Sequence, residues 1–432
     1  MTLRTVITGV RLLDPASGLD APGWLVAEQG RIADYGSGTL DARPGDAVMI
    51  DGRGACLAPG LVDIRVQLGE PGAEHKETFA SGSAAAAAGG VTTLACLPDT
   101  DPPVDDPAMV EFVARRARRV RGVKVHPYAA ITKGLAGREL TEFGLLCEAG
   151  AVAFADAGHA VADSLVMRRA LSYARSFDGL IVQHPEDPAL AGTGVMNEGE
   201  IATRLGLPGI PAAAEVILIE RDIRLVELTG GRLHFAHVST EAGVEAIRRA
   251  KAGGLPVTAE ASPVHLTLNE LAVEGYRTYA KVSPPLRPER DRLAVVAGLV
   301  DGTLDVLASD HCPQDQDSKR VPFAPAAFGA AGLETLLGVG LILVHNRQMS
   351  LLDLLARLTC RPAELMRLDA GRLRKGAPAD LVLFDPEAPW QVKETGMRGL
   401  ARNTPFEGML LQGRVLRTLV DGRPVFEADD AA

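Results

Sequence analysis

Three side chains of this 432-residue chain have types and positions suited to hydrolytic chemistry: His184, His237 and Asp310. Each stands at the end of an apolar run with strand character, over residues 180–183, 233–237 and 306–309. Two neutral imidazoles and a carboxylate brought to one point can hold a catalytic zinc with a position left open for water. The plain alternative is a pair of histidines hydrogen-bonded to their neighbours. Arg65, Gln67, Asp99, Asp156 and Ser283 end other runs in the same way. Zinc takes imidazole, thiolate or carboxylate, so Arg65 and Gln67 do not extend a metal site.

These residues need a frame that gathers strand ends. Apolar runs at 60–66, 92–97, 123–129, 151–154, 180–183, 233–237, 257–261 and 306–309 alternate with stretches of helical periodicity at 110–119, 163–175, 211–229 and 241–252. Eight strands with helices between them predict a closed parallel α/β barrel, a (β/α)8 TIM barrel over residues 58–372, whose site lies at the C-terminal ends of its strands. Residues 1–57 and 373–432 instead alternate apolar and polar positions between glycine turns, which predicts short antiparallel strands joined into one small composite β-sandwich. The alanine run 84–88 reads as a packed helix face.

Composition narrows the partners. The chain carries 55 acidic and 45 basic residues, a net charge of −10, which argues against nucleic acid as the main partner. The basic stretch Arg115-Arg116-Ala117-Arg118-Arg119 reads as a solvated helix face. No run of 18 apolar residues suggests a membrane span, and Met1 to Val6 lacks a secretory layout, so a cytoplasmic protein is expected. The five cysteines are scattered and never form Cys-x-x-Cys, which predicts reduced thiols. His75, His126, His159, His265 and His345 read as surface or loop histidines.

Ordered motifs add a resemblance that spans nearly the whole chain. Pro59-Gly60-Leu61-Val62-Asp63-Ile64-Arg65-Val66-Gln67 is laid out like the first barrel strand of a metal-dependent amidohydrolase. Glu70-Pro71-Gly72, Ala88-Gly89-Gly90-Val91-Thr92-Thr93, His126-Pro127-Tyr128, His184-Pro185-Glu186-Asp187-Pro188, Asn197-Glu198-Gly199, His237-Val238-Ser239-Thr240, Pro284-Pro285-Leu286-Arg287, Ser309-Asp310-His311 and Asn403-Thr404-Pro405-Phe406 follow in order. Together they resemble the class I dihydroorotases, enzymes of pyrimidine biosynthesis within the amidohydrolase superfamily. Asp156 in Phe154-Ala155-Asp156-Ala157-Gly158 is similar to this class rather than to hydantoinases, which use a carbamylated lysine there.

The resemblance implies a set of roles and of departures. The family's metal ligands map onto Arg65, Gln67, Asp156, His184, His237 and Asp310, so the His-x-His pair of the first strand is replaced by Arg65 and Gln67. Asp310 maps onto the family's general base. The family's substrate contacts change as well: an arginine is replaced by Gly69, and two asparagines by Asp99 and Ser283, while Gln314 replaces a histidine. A guanidinium about 4 Å from a second unit charge of the same sign costs roughly 4 kcal/mol at an effective dielectric near 20, and a zinc ion doubles this. Arg65 cannot shed its proton to relieve it. It is therefore expected to neutralise Asp156 or Asp310 instead.

Three readings follow from the resemblance. This chain is similar to non-catalytic dihydroorotase-like members that lack the His-x-His pair and act as structural partners of aspartate transcarbamoylase; such a chain holds zinc weakly or not at all. Alternatively it is an active dihydroorotase, interconverting N-carbamoyl-aspartate and dihydroorotate with one zinc on His184, His237 and Asp310. The third is a changed substrate, with Arg65 binding an anionic group. A homodimer fits any of them.

Overall fold

A computed structural model describes residues 4–40 and 47–429; Met1 to Leu3, read above as the start of a chain without a secretory layout, lie outside the described residues. Eight short parallel strands form the central barrel: Leu61–Val66, Val91–Cys96, Lys124–Pro127, Phe154–Ala155, Leu180–Gln183, Arg232–Phe235, Val257–Ala261 and Val306–Leu307. The first three pair in one parallel ladder and the last five in another. Parallel bridges Ala129 to Phe154 and Val66 to His311 close the two ladders on each other. The fourth and eighth strands are shorter than the 151–154 and 306–309 runs suggest, because closure there rests on single bridges.

Strand composition explains this architecture. Val91–Cys96 and Leu180–Gln183 are buried throughout, as strands covered on both faces must be. Val62, Ile64, Ala95, Ala155, Val182 and Val306 of five strands pack into one apolar cluster with Tyr128 and Ala236, each the residue just after another strand. A larger cluster joins the strands to the surrounding helices. Among these helices, Pro107–Val120, Ser164–Arg175 and Glu241–Ala252 begin at Asp106, Asp163 and Thr240, whose side chains accept from first-turn N–H groups, and Ala213–Thr229 ends at the left-handed Gly230.

The chain ends meet in one sheet. Cys56–Pro59 pairs parallel with Arg4–Asp14 and antiparallel with Leu381–Gln391, which tethers Leu410–Val420 and Arg423–Glu427 to the N-terminal strands. The small terminal unit is thus a continuous eight-stranded sheet, built on Ile7, Leu12, Leu25, Leu57, Leu381 and Leu419. No helix among the described residues is long and apolar enough to cross a membrane. The five cysteines are free thiols. His265 corrects one expectation: it is 3% exposed, not a surface residue, held between Ser262 Oγ at 2.8 Å and the Pro284 carbonyl at 3.0 Å.

Candidate active site

The strand ends open into a cavity of about 820 Å³ lined by Arg65, Gln67, Asp99, His184, Glu186, His237, Ser283, Asp310 and Gln314, among others. Arg65 forms the floor. Its side chain is 3% exposed. Nε donates to Asp310 Oδ1 at 2.9 Å and lies 3.7 Å from Glu260 Oε1. Nη2 donates to the Ala157 carbonyl at 3.3 Å, and Nη1 has no partner. Burial alone would lower the Arg65 pKa, but Asp310 and Glu260 hold it above its ordinary value. The guanidinium is therefore a fixed cation between two carboxylates.

The two histidines face each other. His184 Nδ1 and His237 Nε2 are 2.7 Å apart, so one donates to the other, and His237 Nδ1 lies 3.1 Å from Asp310 Oδ2. Burial, reinforced by Arg65, pushes His237 down to about 3, so its ring is neutral near pH 7. Asp310 would rise through burial, but His237 and then Arg65 hold it below the usual carboxylate range. His237 and Asp310 both adopt left-handed backbone, with φ of 33° and 52°. Non-glycine residues held there mark local strain.

Asp156 stands apart from this cluster. Its carboxylate accepts from the Ile131 and Thr132 backbone N–H groups at 2.9 and 3.0 Å and from Thr132 Oγ1. It organises a loop, and the Arg65 counter-charge is Asp310 with Glu260, not Asp156. Gly69, the position of a family arginine, has no room for any side chain: a Cβ there would lie 2.1 Å from the Ala73 carbonyl oxygen. Asp99 is exposed to the cavity. Ser283 Oγ reaches Glu186 Oε1 at 3.5 Å.

Comparisons with known proteins identify the family. Residues 54–243 match the family model described as dihydro-orotase-like, and residues 301–426 the one described as the amidohydrolase family. A dihydroorotase of Syntrophotalea carbinolica is 48% identical over 428 residues, covering 99% of this chain and 100% of that protein. The chain belongs to the dihydroorotase family. A dihydroorotase of Syntrophus aciditrophicus is 44% identical over 427 residues, covering 99% and 100% of the two chains. Among solved structures, the L-hydantoinase of Arthrobacter aurescens superposes with a TM-score of 0.87 at 26% identity, covering 99% of this chain and 96% of that one.

Within the dihydroorotase family this floor is a poor fit for a zinc ion. The Arg65 guanidinium lies 2.9 Å from the carboxylate that a metal needs, and one nitrogen of each histidine is engaged by the other ring. Among the described residues, no three His, Cys, Asp or Glu side chains converge as a group able to hold a metal. Glu260 was not legible as a site residue from the motifs. The signal was available, however: a carboxylate inside the buried strand Val257–Ala261 requires a partner, and it has two, Arg65 and His234 Nε2 at 3.2 Å. His234, likewise buried within a strand, is held from its other side by Thr258 Oγ1 at 2.8 Å.

Proposed function

We propose that this dihydroorotase-family chain does not catalyse dihydroorotate hydrolysis and serves as a structural partner of aspartate transcarbamoylase. One observation carries the first half: the Arg65 Nε to Asp310 Oδ1 contact of 2.9 Å, buried and backed by Glu260. A zinc ion about 4 Å from this fixed guanidinium meets a pairwise repulsion on the order of 8 kcal/mol at an effective dielectric near 20, before the offset from Asp310 and Glu260. An Asp310 engaged by Arg65 and His237 is also an ionised acceptor with both oxygens occupied, a poor base for a water molecule.

The substrate contacts point the same way. Gly69 supplies no guanidinium for a substrate carboxylate, and Asp99 sets a negative charge where that carboxylate would bind. The partner half of the proposal rests on the resemblance to family members that lack the His-x-His pair and hold aspartate transcarbamoylase subunits in a larger assembly.

The test is hydrolysis of dihydroorotate by the purified chain, with and without added zinc, beside a dihydroorotase prepared identically. The expected result is no turnover in either condition and co-elution with aspartate transcarbamoylase in size-exclusion chromatography. Zinc-dependent turnover overturns the non-catalytic reading. Separate elution at micromolar concentrations overturns the scaffold role.

A further inference from the structure

The lining of the mouth carries more carboxylates than cations. Three carboxylates, Asp99, Glu186 and Asp310, face two cations, Arg65 and Lys76. Arg65 is already answered by Asp310 and by Glu260 behind it, so little of its charge is left for a ligand. Asp99 faces the cavity and carries no side-chain hydrogen bond or ion pair among the described residues; burial raises its pKa, and the charges of Arg65 and Lys76 only partly offset this.

Two unmet acceptors point the same way independently. Gln314 is 8% exposed and lines the cavity. Its Nε2 is directed to Cys312 Sγ at 3.5 Å, and its Oε1 has no partner. Glu186 places Oε1 3.5 Å from Ser283 Oγ and 3.8 Å from His184 Nε2, and leaves Oε2 unpartnered. Buried acceptors without partners are costly, and a donor-rich ligand relieves them. On the donor side the deeply set Arg65 Nη1 is unpartnered.

We infer that the barrel mouth binds a small organic cation of the guanidine or amidine class, recognised by Glu186, Asp99 and Gln314. A planar guanidinium offers paired N–H donors that match a carboxylate edge and leaves further donors for an amide oxygen. A ureido group of the same shape has fewer donors and no charge, and an anion meets Asp99. The inference rests on the metal-free reading of the mouth.

Isothermal titration calorimetry of the full chain with butylguanidine and with butylurea tests it, since the two probes share shape and size and differ in charge. Butylguanidine is expected to bind about tenfold more tightly, as one partly screened charge contact implies. Asp99→Asn and Glu186→Gln should each weaken butylguanidine more than butylurea and so remove much of that preference. Asp99 has no partner to lose, so its variant is expected to fold normally. Equal binding of the two probes, tighter binding of the urea, or a preference untouched by both variants overturns the inference. Zinc content of the same sample separates the two ideas: stoichiometric zinc overturns the non-catalytic reading, whereas a zinc-free chain without the cation preference overturns only this inference.

Discussion

The floor of the barrel mouth and the shell that supports it differ in kind. In the shell, Glu215 and the motif residues around it are densely hydrogen-bonded, with Arg287 Nη2 left without a partner. Glu215, fully buried, accepts from the backbone N–H groups of Ser239 and Thr240 and from both hydroxyls. Arg287 donates Nη1 to Asn197 Oδ1 and to the Ile210 carbonyl, each at 2.9 Å, and Nε to Ser239 Oγ at 3.2 Å. Asn403 holds the Gln314 backbone N–H and the Gly329 carbonyl. On the floor, one guanidinium sits among Asp310, Glu260 and a neutral His237, and several polar atoms lack partners. Shared motifs therefore track the scaffold of the mouth more closely than they track its chemistry.

Replacing the floor while sparing the shell should change metal affinity most. The double variant Arg65→His, Gln67→His removes a repulsion on the order of 8 kcal/mol; it is expected to take up about one zinc per chain, as read by metal analysis after dialysis, where the native chain stays near background. Zinc in the native chain at the same level breaks the contrast. Attacking the shell instead, Glu215→Ala strands four donors and should destabilise by about 4 kcal/mol in urea unfolding. A loss below about 1 kcal/mol shows that the shell is less interlocked than its geometry implies.

A third variant, Arg65→Met, leaves Asp310 and Glu260 buried without their cation. Stability should fall by about 3 kcal/mol at neutral pH. If stability is unchanged or rises, Arg65 is not the counter-charge of the floor. The smallest effect concerns pH. His237 is held near 3 and His265 near 4 by burial, against about 6.5 when unfolded. The unfolded chain therefore takes up protons that the folded chain refuses, and stability is lost as pH falls from about 6.5 towards these lower values. Each histidine should contribute about 1–2 kcal/mol of that loss by pH 5. Arg65→Met removes one cause of the His237 depression, so its pH-dependent loss of stability should level off at a higher pH than in the native chain; an unmoved lower limit indicates that Arg65 does not depress His237.

Much of this arrangement was readable before any coordinates. The strands at 180–183 and 257–261 appear with those bounds because each apolar run is short and sharply ended. The ends of the fourth and eighth strands blur because closure there depends on isolated bridges, a tertiary matter without a local signature. His184, His237 and Asp310 converge because all three follow strands of one barrel. Asp156 diverges because the Ile131 and Thr132 N–H groups compete for it, and backbone donors leave no trace in side-chain identity. Glu260 and His234 were concealed inside runs read only for their hydrophobicity.

The cramped surroundings of Gly69 have a consequence for redesign. A Cβ at this position would meet the Ala73 carbonyl oxygen at 2.1 Å and the Glu77 carbonyl oxygen at 2.9 Å. Side-chain replacement alone can set histidines at 65 and 67, but an arginine at 69 requires the 69–77 loop to move first. The order of engineering steps is thus constrained: the loop must be rebuilt before position 69 can carry a side chain, and it acts as a ratchet.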